Sequence, residues 1–206
     1  MEKYVITISR QYGSFGRLVA KKLSEQLHID FLDRDIVEET AKRMNTSVKQ
    51  ISREEEITHS KFSYLSYPFG LGTPDVSDEI FLVQQSIIED FARKGSCIIV
   101  GRCADKILEE TEGLISLFIY APMEARVKEI MRRYETDEKE AEYLIKQADK
   151  IRKNYYNFYA KKTWADKASY NMLIDSSRIS EKELAAMLRA LLTARGVELE
   201  TDGSDQ

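Results

Sequence analysis

The sequence predicts an α/β fold built on a parallel sheet with helices on both faces. Short apolar runs alternate with amphipathic stretches along the chain, the pattern of strands joined by crossover helices. The first run passes through a glycine turn straight into a helical pattern. Three polar segments, Gly13–Arg17, Asp33–Asp35 and Gly101–Asp105, each follow an apolar run. Ligands of open parallel sheets sit beyond the C-terminal ends of the strands, so these three segments should converge in space.

Tyr4 to Ser9 (YVITIS) is apolar and β-branched, suited to a strand buried on both faces. Val19, Ala20, Leu23 and Leu27 then recur at helical spacing between Lys21, Lys22 and Glu25. Ile29–Leu32 forms a second strand, and Ile36, Val37, Ala41 and Met44 a second helical face. The pattern dissolves over residues 45–77, where Tyr64, Tyr67, Pro68, Phe69, Gly70, Gly72 and Pro74 stand. A binding loop and a plain irregular loop both fit that stretch. Ile80, Phe81, Ile87, Ile88 and Phe91 mark a helix ending near Gly95. Cys97–Val100 (CIIV) and Ile115–Tyr120 (ISLFIY) are buried strands. Pro122 suits the first position of the next helix, whose stripe is Val127, Ile130 and Met131. Thr136 can cap a long helix carrying Ala141, Leu144, Ile145, Ala148 and Ile151. Tyr170–Ile174 (YNMLI) is the last strand. Ser180 with Glu183 makes a capping box for a final helix carrying Leu184, Met187, Leu188 and Leu191, ended by Gly196.

A chain of 206 residues, 43% hydrophobic, can bury one sizeable core. Residues 1–196 read as one domain, with residues 197–206 a frayed polar tail. Thirty-one basic and 35 acidic residues give a net charge of −4, which argues against general nucleic-acid binding but leaves room for a local basic pocket. No run approaches the length of a membrane span. Met1-Glu2-Lys3-Tyr4 enters the first strand without an apolar leader, so a cytoplasmic protein is expected. Cys97 and Cys103 fit no metal spacing and read as free thiols in a reducing compartment.

A glycine loop between strand and helix exposes backbone N–H groups at a helix N-terminus, where phosphate binds. Gly13, Ser14, Phe15, Gly16, Arg17 and Leu18 form the candidate loop. Gly13 and Gly16 supply the unusual backbone angles, and Arg17 a cation. Counted back from Gly16, the common motif G-x-x-x-x-G-K-[ST] finds Gln11 at its first glycine, Arg17 at its lysine and Leu18 at its hydroxyl position, which usually holds Mg²⁺. An ordinary strand-to-helix turn is the competing reading.

Five segments in order, ISRQYGSFGR (Ile8–Arg17), FLDRD (Phe31–Asp35), IIVGRCAD (Ile98–Asp105), LFIYAPMEAR (Leu117–Arg126) and Asp149–Asp166 (DKIRKNYYNFYAKKTWAD), resemble the cytidylate kinase-like family over roughly residues 4–192. The resemblance implies a P-loop NTPase three-layer fold: a five-stranded parallel sheet, a small acceptor-binding lobe near 45–77 and a helical lid near 126–166. It implies ATP as donor, Mg²⁺ as its companion and a nucleotide acceptor such as CMP or dCMP. The acceptor-site positions fall on Asp33, Arg34, Arg102 and Asp105. Cys103 stands where cytidylate kinases carry the Asp of Gly-Arg-Asp, and Glu38 or Glu39 meets their acceptor-phosphate arginine, so the acceptor is left open.

Phosphoryl transfer needs positioning and charge neutralisation rather than a nucleophilic side chain. Arg17 would neutralise the β- and γ-phosphates as a fork rather than a point charge. Arg102 follows a buried strand and a glycine, and either meets a ligand or pairs with Asp105. Asp33 and Asp35 could order the waters of Mg²⁺ or bind the acceptor; alternatively Asp33 caps the next helix. Lid arginines would come from Arg126, Arg132, Arg133 and Arg152, the last oriented by Asp149 one helical turn away. The aromatic stretch Tyr155, Tyr156, Phe158, Tyr159 and Trp164 can stack bases or pack the lid onto the core or a partner subunit, and a homodimer is compatible with it. The leading expectation is a nucleotide kinase; the alternative is a kinase-derived protein that binds nucleotide without transferring phosphate.

Overall fold

The computed structural model describes residues 3–57 and 76–199, and of 54–57 the backbone only. Most of the expected acceptor-side lobe, 58–75, and the tail from residue 200 lie outside the described residues. The elements run β1 (Val5–Arg10), α1 (Gly16–Leu27), β2 (Asp30–Leu32), α2 (Asp35–Arg43), α3 (Val48–Ile57), α4 (Val76–Lys94), β3 (Cys97–Val100), the single turn α5 (Ala104–Ile107), β4 (Leu114–Tyr120), α6 (Met123–Tyr134), α7 (Glu138–Ala160), β5 (Met172–Asp175) and α8 (Glu181–Ala194). The strands form one five-stranded sheet in the order β2-β3-β1-β4-β5, and every pairing is parallel. β1 is therefore central, and the chain leaves its C-terminal end for one edge while β3 sends it past β1 to the other side. That crevice is where an open α/β sheet binds ligand.

Alternation along the strands divides the core into two layers. Ile6, Ile8, Ile98, Val100, Ile115, Leu117 and Ile119 face α1 and α8, which contribute Val19, Leu23, Leu27, Leu184, Leu188 and Leu192. Val5, Cys97 and Ile99 face the other way, onto Ile36 of α2 and Ile87, Ile88 and Ala92 of α4. Each fully buried aliphatic side chain contributes about 1.5–3 kcal/mol of burial free energy. Burial also pushes the Cys97 thiol up to about 11, and both cysteines are free thiols.

Several local expectations shift. The region read as patternless begins with helix α3, which sequence periodicity missed because it is charge-rich around one buried anchor. Ile51 is 1% exposed and packs with Val37, Ala41 and Ile80. The cap of α7 is Asp137, not Thr136: its side chain accepts from the Glu140 N–H at 2.8 Å, and a carboxylate there also complements the helix dipole. Pro122 sits one residue before α6 with ψ 148, an extended N-cap rather than a first helical residue. Met187 is 43% exposed, outside the buried stripe of α8. The Ser180–Glu183 capping box forms as read. The aromatic stretch is packing material: Phe81 of α4 stacks on Tyr159 with ring centroids 4.0 Å apart, and Tyr155 donates from its hydroxyl to Gln84 Oε1 at 3.0 Å.

Candidate active site

The loop between β1 and α1 is pinned on two sides. In front of β4, the Gln11 N–H donates to the Ile119 carbonyl at 3.0 Å. The Ser14 hydroxyl turns inward and lies 2.9 Å from the Gln11 carbonyl and 3.0 Å from the Ile119 carbonyl. From the β5 side, the Ser176 hydroxyl lies 2.8 Å from the Ser14 carbonyl. Ser14 thus offers a ligand its backbone only. Ser14→Ala should cost about 1 kcal/mol in urea unfolding, the worth of the hydroxyl's own hydrogen bond, since both carbonyls keep a backbone donor, with nucleotide affinity in titration calorimetry unchanged.

On the other side the loop rests on a carboxylate of α7. Asp149 Oδ1 accepts from the Tyr12 N–H at 2.7 Å, and Oδ2 accepts from Arg126 NH1 at 2.6 Å. Arg126, 6% exposed, is therefore a strut beneath the loop and not a lid arginine reaching the cleft. A Cβ on Gly13 would lie 3.1 Å from the Arg126 carbonyl oxygen, and Gly13 has φ +78, so glycine is needed there for both space and angle. Gly16 plays a different part from the one read: the other positive angle belongs to Phe15, φ 57, while Gly16 opens α1 and gives room to the Arg10 stem. Phe15, the N-cap, makes no side-chain cap. The first N–H groups of α1 have no intrahelical acceptor and carry the positive end of the helix dipole, an anion site.

These elements border a cleft of about 730 Å³, within the range of a small-molecule site. Gly13 to Leu18 line it, and so do Asp33, Arg34, Arg102, Arg132, Arg133 and Arg152. The three strand-end segments therefore meet, except for two of their carboxylates. Asp105 is 7% exposed and accepts from the Tyr156 hydroxyl at 2.6 Å within the aromatic cluster on α7, away from the cleft. Burial pushes its carboxyl up, against the effect of that bond. Asp35 also turns elsewhere, to a depression between α2 and α4 shared with Glu38 and Glu39.

Asp33 does not cap α2 with its side chain. Its Oδ2 accepts from Arg17 Nε at 2.5 Å, and its Oδ1 lies 3.8 Å from Arg10 NH2. Arg102 follows Gly101 in a run of three positive φ angles, 77, 57 and 55 at Gly101, Arg102 and Cys103. Such angles cost about 1–3 kcal/mol per non-glycine residue and cluster at functional sites. Here the turn carries Arg102 into the cleft. Arg152 lies 4.0 Å from Asp149, whose nearer partners are Tyr12 and Arg126. Arg132 is held by Glu129 at 3.0 Å. Above the loop the Tyr12 and Tyr134 hydroxyls lie 2.9 Å apart.

Arg10, Gln11, Tyr12, Glu129 and Tyr134 also line the cleft and were not foreseen there, and Lys21, Phe31, Val37 and Val100 complete the lining. A signal for Arg10 existed: it is a charge at the end of an otherwise apolar strand, directly before the glycine loop. The same reasoning singled out Arg102.

Magnesium is the one implied group that the donor set does not fit as a protein-held ion. Leu18 stands at the hydroxyl position and the Asp33 carboxylate is engaged by Arg17, which removes the hydroxyl and the nearby carboxylate through which such a loop would hold the ion beside substrate phosphates.

A family model described as the cytidylate kinase-like family matches residues 5–178. Cytidylate kinases of Methanosarcina barkeri and Methanopyrus kandleri are 23% and 25% identical to the chain, each over 91% of it and over 95% and 92% of the relative. Among solved structures, a protein from Eubacterium ventriosum aligns with TM-score 0.72 at 29% identity, over 94% of this chain and 100% of the other. A shikimate kinase from Acinetobacter baumannii in complex with shikimate aligns with TM-score 0.53 at 14% identity, over 95% of this chain and 96% of its own, a likeness of fold alone.

Proposed function

The chain belongs to the cytidylate kinase-like family, and from that membership we propose that it transfers the γ-phosphoryl group of ATP to a small phosphate-bearing acceptor, a nucleoside monophosphate of the CMP or dCMP kind. The family and the fold support a phosphotransferase of the kinase class. The observation that carries the finer reading is the cleft itself. A helix N-terminus and a pinned glycine loop form one wall, and Arg17, Arg34, Arg102, Arg132, Arg133 and Arg152 line the same space.

In this reading the donor phosphates lie over the N–H groups of Gly13 to Leu18, with Arg17 on the β- and γ-phosphates. The acceptor lies toward Asp33, Arg34 and Arg102. An oxygen of the acceptor phosphate attacks the γ-phosphorus in line, and the bond from that phosphorus to the β–γ bridging oxygen breaks, leaving ADP. Charge spreads onto the transferring oxygens, so arginines from α6 and α7 that strengthen their hold at that moment lower the barrier. Arg132 and Arg133 of α6 and Arg152 of α7 are the candidates for that role. Mg²⁺, where it takes part, would arrive with ATP and screen its phosphate charge; no residue of this chain is assigned to hold it.

The test is γ-phosphate transfer from ATP across a panel of nucleoside monophosphates. Transfer to one acceptor names the substrate; no transfer to any, with ATP still binding, defeats the nucleotide-kinase reading and leaves a non-nucleotide acceptor or a binding protein. Leu18 and the Arg17–Asp33 pair favour a second reading, a nucleotide-binding protein without transfer, which expects that second result.

A further inference from the structure

We propose that Arg10 is the phosphate-binding cation that stands in for a divalent metal in this cleft, so that the chain binds nucleoside triphosphate without one. This rests on the phosphate-binding half of the reading above, not on transfer.

The backbone is built around this side chain. Arg10 ends β1, and its stem crosses the first residue of α1: a Cβ on Gly16 would fall 2.6 Å from Arg10 Cβ and 2.9 Å from its Cγ. Its guanidinium then lies over Gly101, where a Cβ would collide with NH1. Two glycines on two different loops thus leave the path by which Arg10 reaches the mouth of the phosphate loop. A surface arginine needs no such clearance.

The charge around it is one-sided. The chain carries a net −4, yet eight basic residues and two acidic ones, Asp33 and Glu129, line this cleft. Glu129 is occupied by Arg132, and Asp33 is closer to Arg17 than to Arg10. Burial, and after it the like charge of Arg152, hold the Arg10 guanidinium below its ordinary range; Asp33 works against this, and Arg102 and Arg17 add to it. Arg152, which also lines the cleft, has a buried NH1 with no hydrogen-bond acceptor. Like charges packed this closely repel unless an anion lies between them. A polyphosphate supplies that charge and the missing acceptors together, and forked guanidinium contacts suit it. The same charge is what a magnesium ion ordinarily neutralises, and the donors for a protein-held ion do not fit here.

The test is titration calorimetry of the full chain with ATP, in EDTA and in excess Mg²⁺. Wild type should bind in EDTA within about threefold of its affinity with Mg²⁺. Arg10→Gln should lose about tenfold or more in EDTA and recover part of it when Mg²⁺ is added, so that a metal requirement appears. Arg10→Lys should fall between the two. Wild-type binding only with Mg²⁺ would overturn the proposal and leave phosphoryl transfer standing. Equal affinity of Arg10→Gln and wild type in EDTA, with matching circular dichroism, would overturn it as well. No ATP binding under either condition would overturn this proposal and the phosphate-binding reading together. The wild-type comparison needs no variant and stands even if Arg10→Gln does not fold.

Discussion

Arg17→Ala is expected to lower kcat/KM for γ-phosphoryl transfer by about 10²–10³-fold, the loss typical of one preorganised electrostatic contact to the transition state. Arg17 sits on the first turn of α1, next to the loop, with its Nε held by Asp33 at 2.5 Å. That bond fixes the plane of the guanidinium and leaves its two terminal nitrogens for phosphate. A side chain so held loses little freedom when the phosphoryl group moves, which is why its effect should fall on kcat more than on KM. Arg17→Lys keeps the charge but not the fork, and should lose roughly tenfold. Arg17 is 48% exposed, so its pair with Asp33 stabilises the fold little, and both variants should melt close to wild type. A steady-state assay beside a thermal melt checks this. A variant that raises KM with kcat intact would reduce Arg17 to ground-state binding.

The fold was legible because its signals are local. Each strand is a short β-branched run, and β3, Cys97–Val100, stands where the sequence places it. The convergence of Gly13–Arg17, Asp33 and Arg102 followed from the parallel sheet alone, since strand ends share one edge. What the sequence hid is partner choice. Asp105 and Asp33 look alike in sequence, each a carboxylate just beyond a strand. Yet Asp33 points to two arginines, while Asp105 points to a tyrosine 51 residues away. Arg126, Arg132, Arg133 and Arg152 look alike too, and only the packing of α6 on α7 tells the buried strut from those at the cleft. A side chain's direction depends on which neighbour reaches it first, and periodicity carries no information about that.

These partner choices also organise the site. A cleft with a large surplus of positive charge is unstable to its own repulsion, and the loop that frames it would splay unless fixed from outside. The fixing groups lie behind the loop: Ser14 on the β4 side, Asp149 with Arg126 on the α7 side. The cations line the cleft, and the carboxylate that balances the strut does not. Binding and anchoring are thereby separable by mutation. The Arg17 variants test the first.

Asp149→Ala tests the second, and should destabilise the fold by about 3 kcal/mol. The Arg126 side chain is 7% exposed and the Asp149 side chain 18%. Removing the carboxylate strands a buried guanidinium whose Nε already lacks an acceptor. Breaking a fully buried pair costs about 3–5 kcal/mol, and the partial exposure of Asp149 puts this case at the lower end. In a domain of this size that loss lowers Tm by roughly 6–12 °C. The Tyr12 N–H loses its acceptor in the same step, so the loop loosens and nucleotide affinity should fall in the surviving folded fraction, although Asp149 does not line the cleft. Asp149→Asn keeps an oxygen for the Tyr12 N–H but not the charge, and should fall between. The decisive comparison is the double variant Arg126→Met with Asp149→Leu. If burial of an unpaired charge causes the loss, the double variant recovers much of the melting temperature without recovering affinity, because the Tyr12 N–H remains unpaired. A double variant as unstable as Asp149→Ala would place the cost in lost packing of α7 against the loop instead.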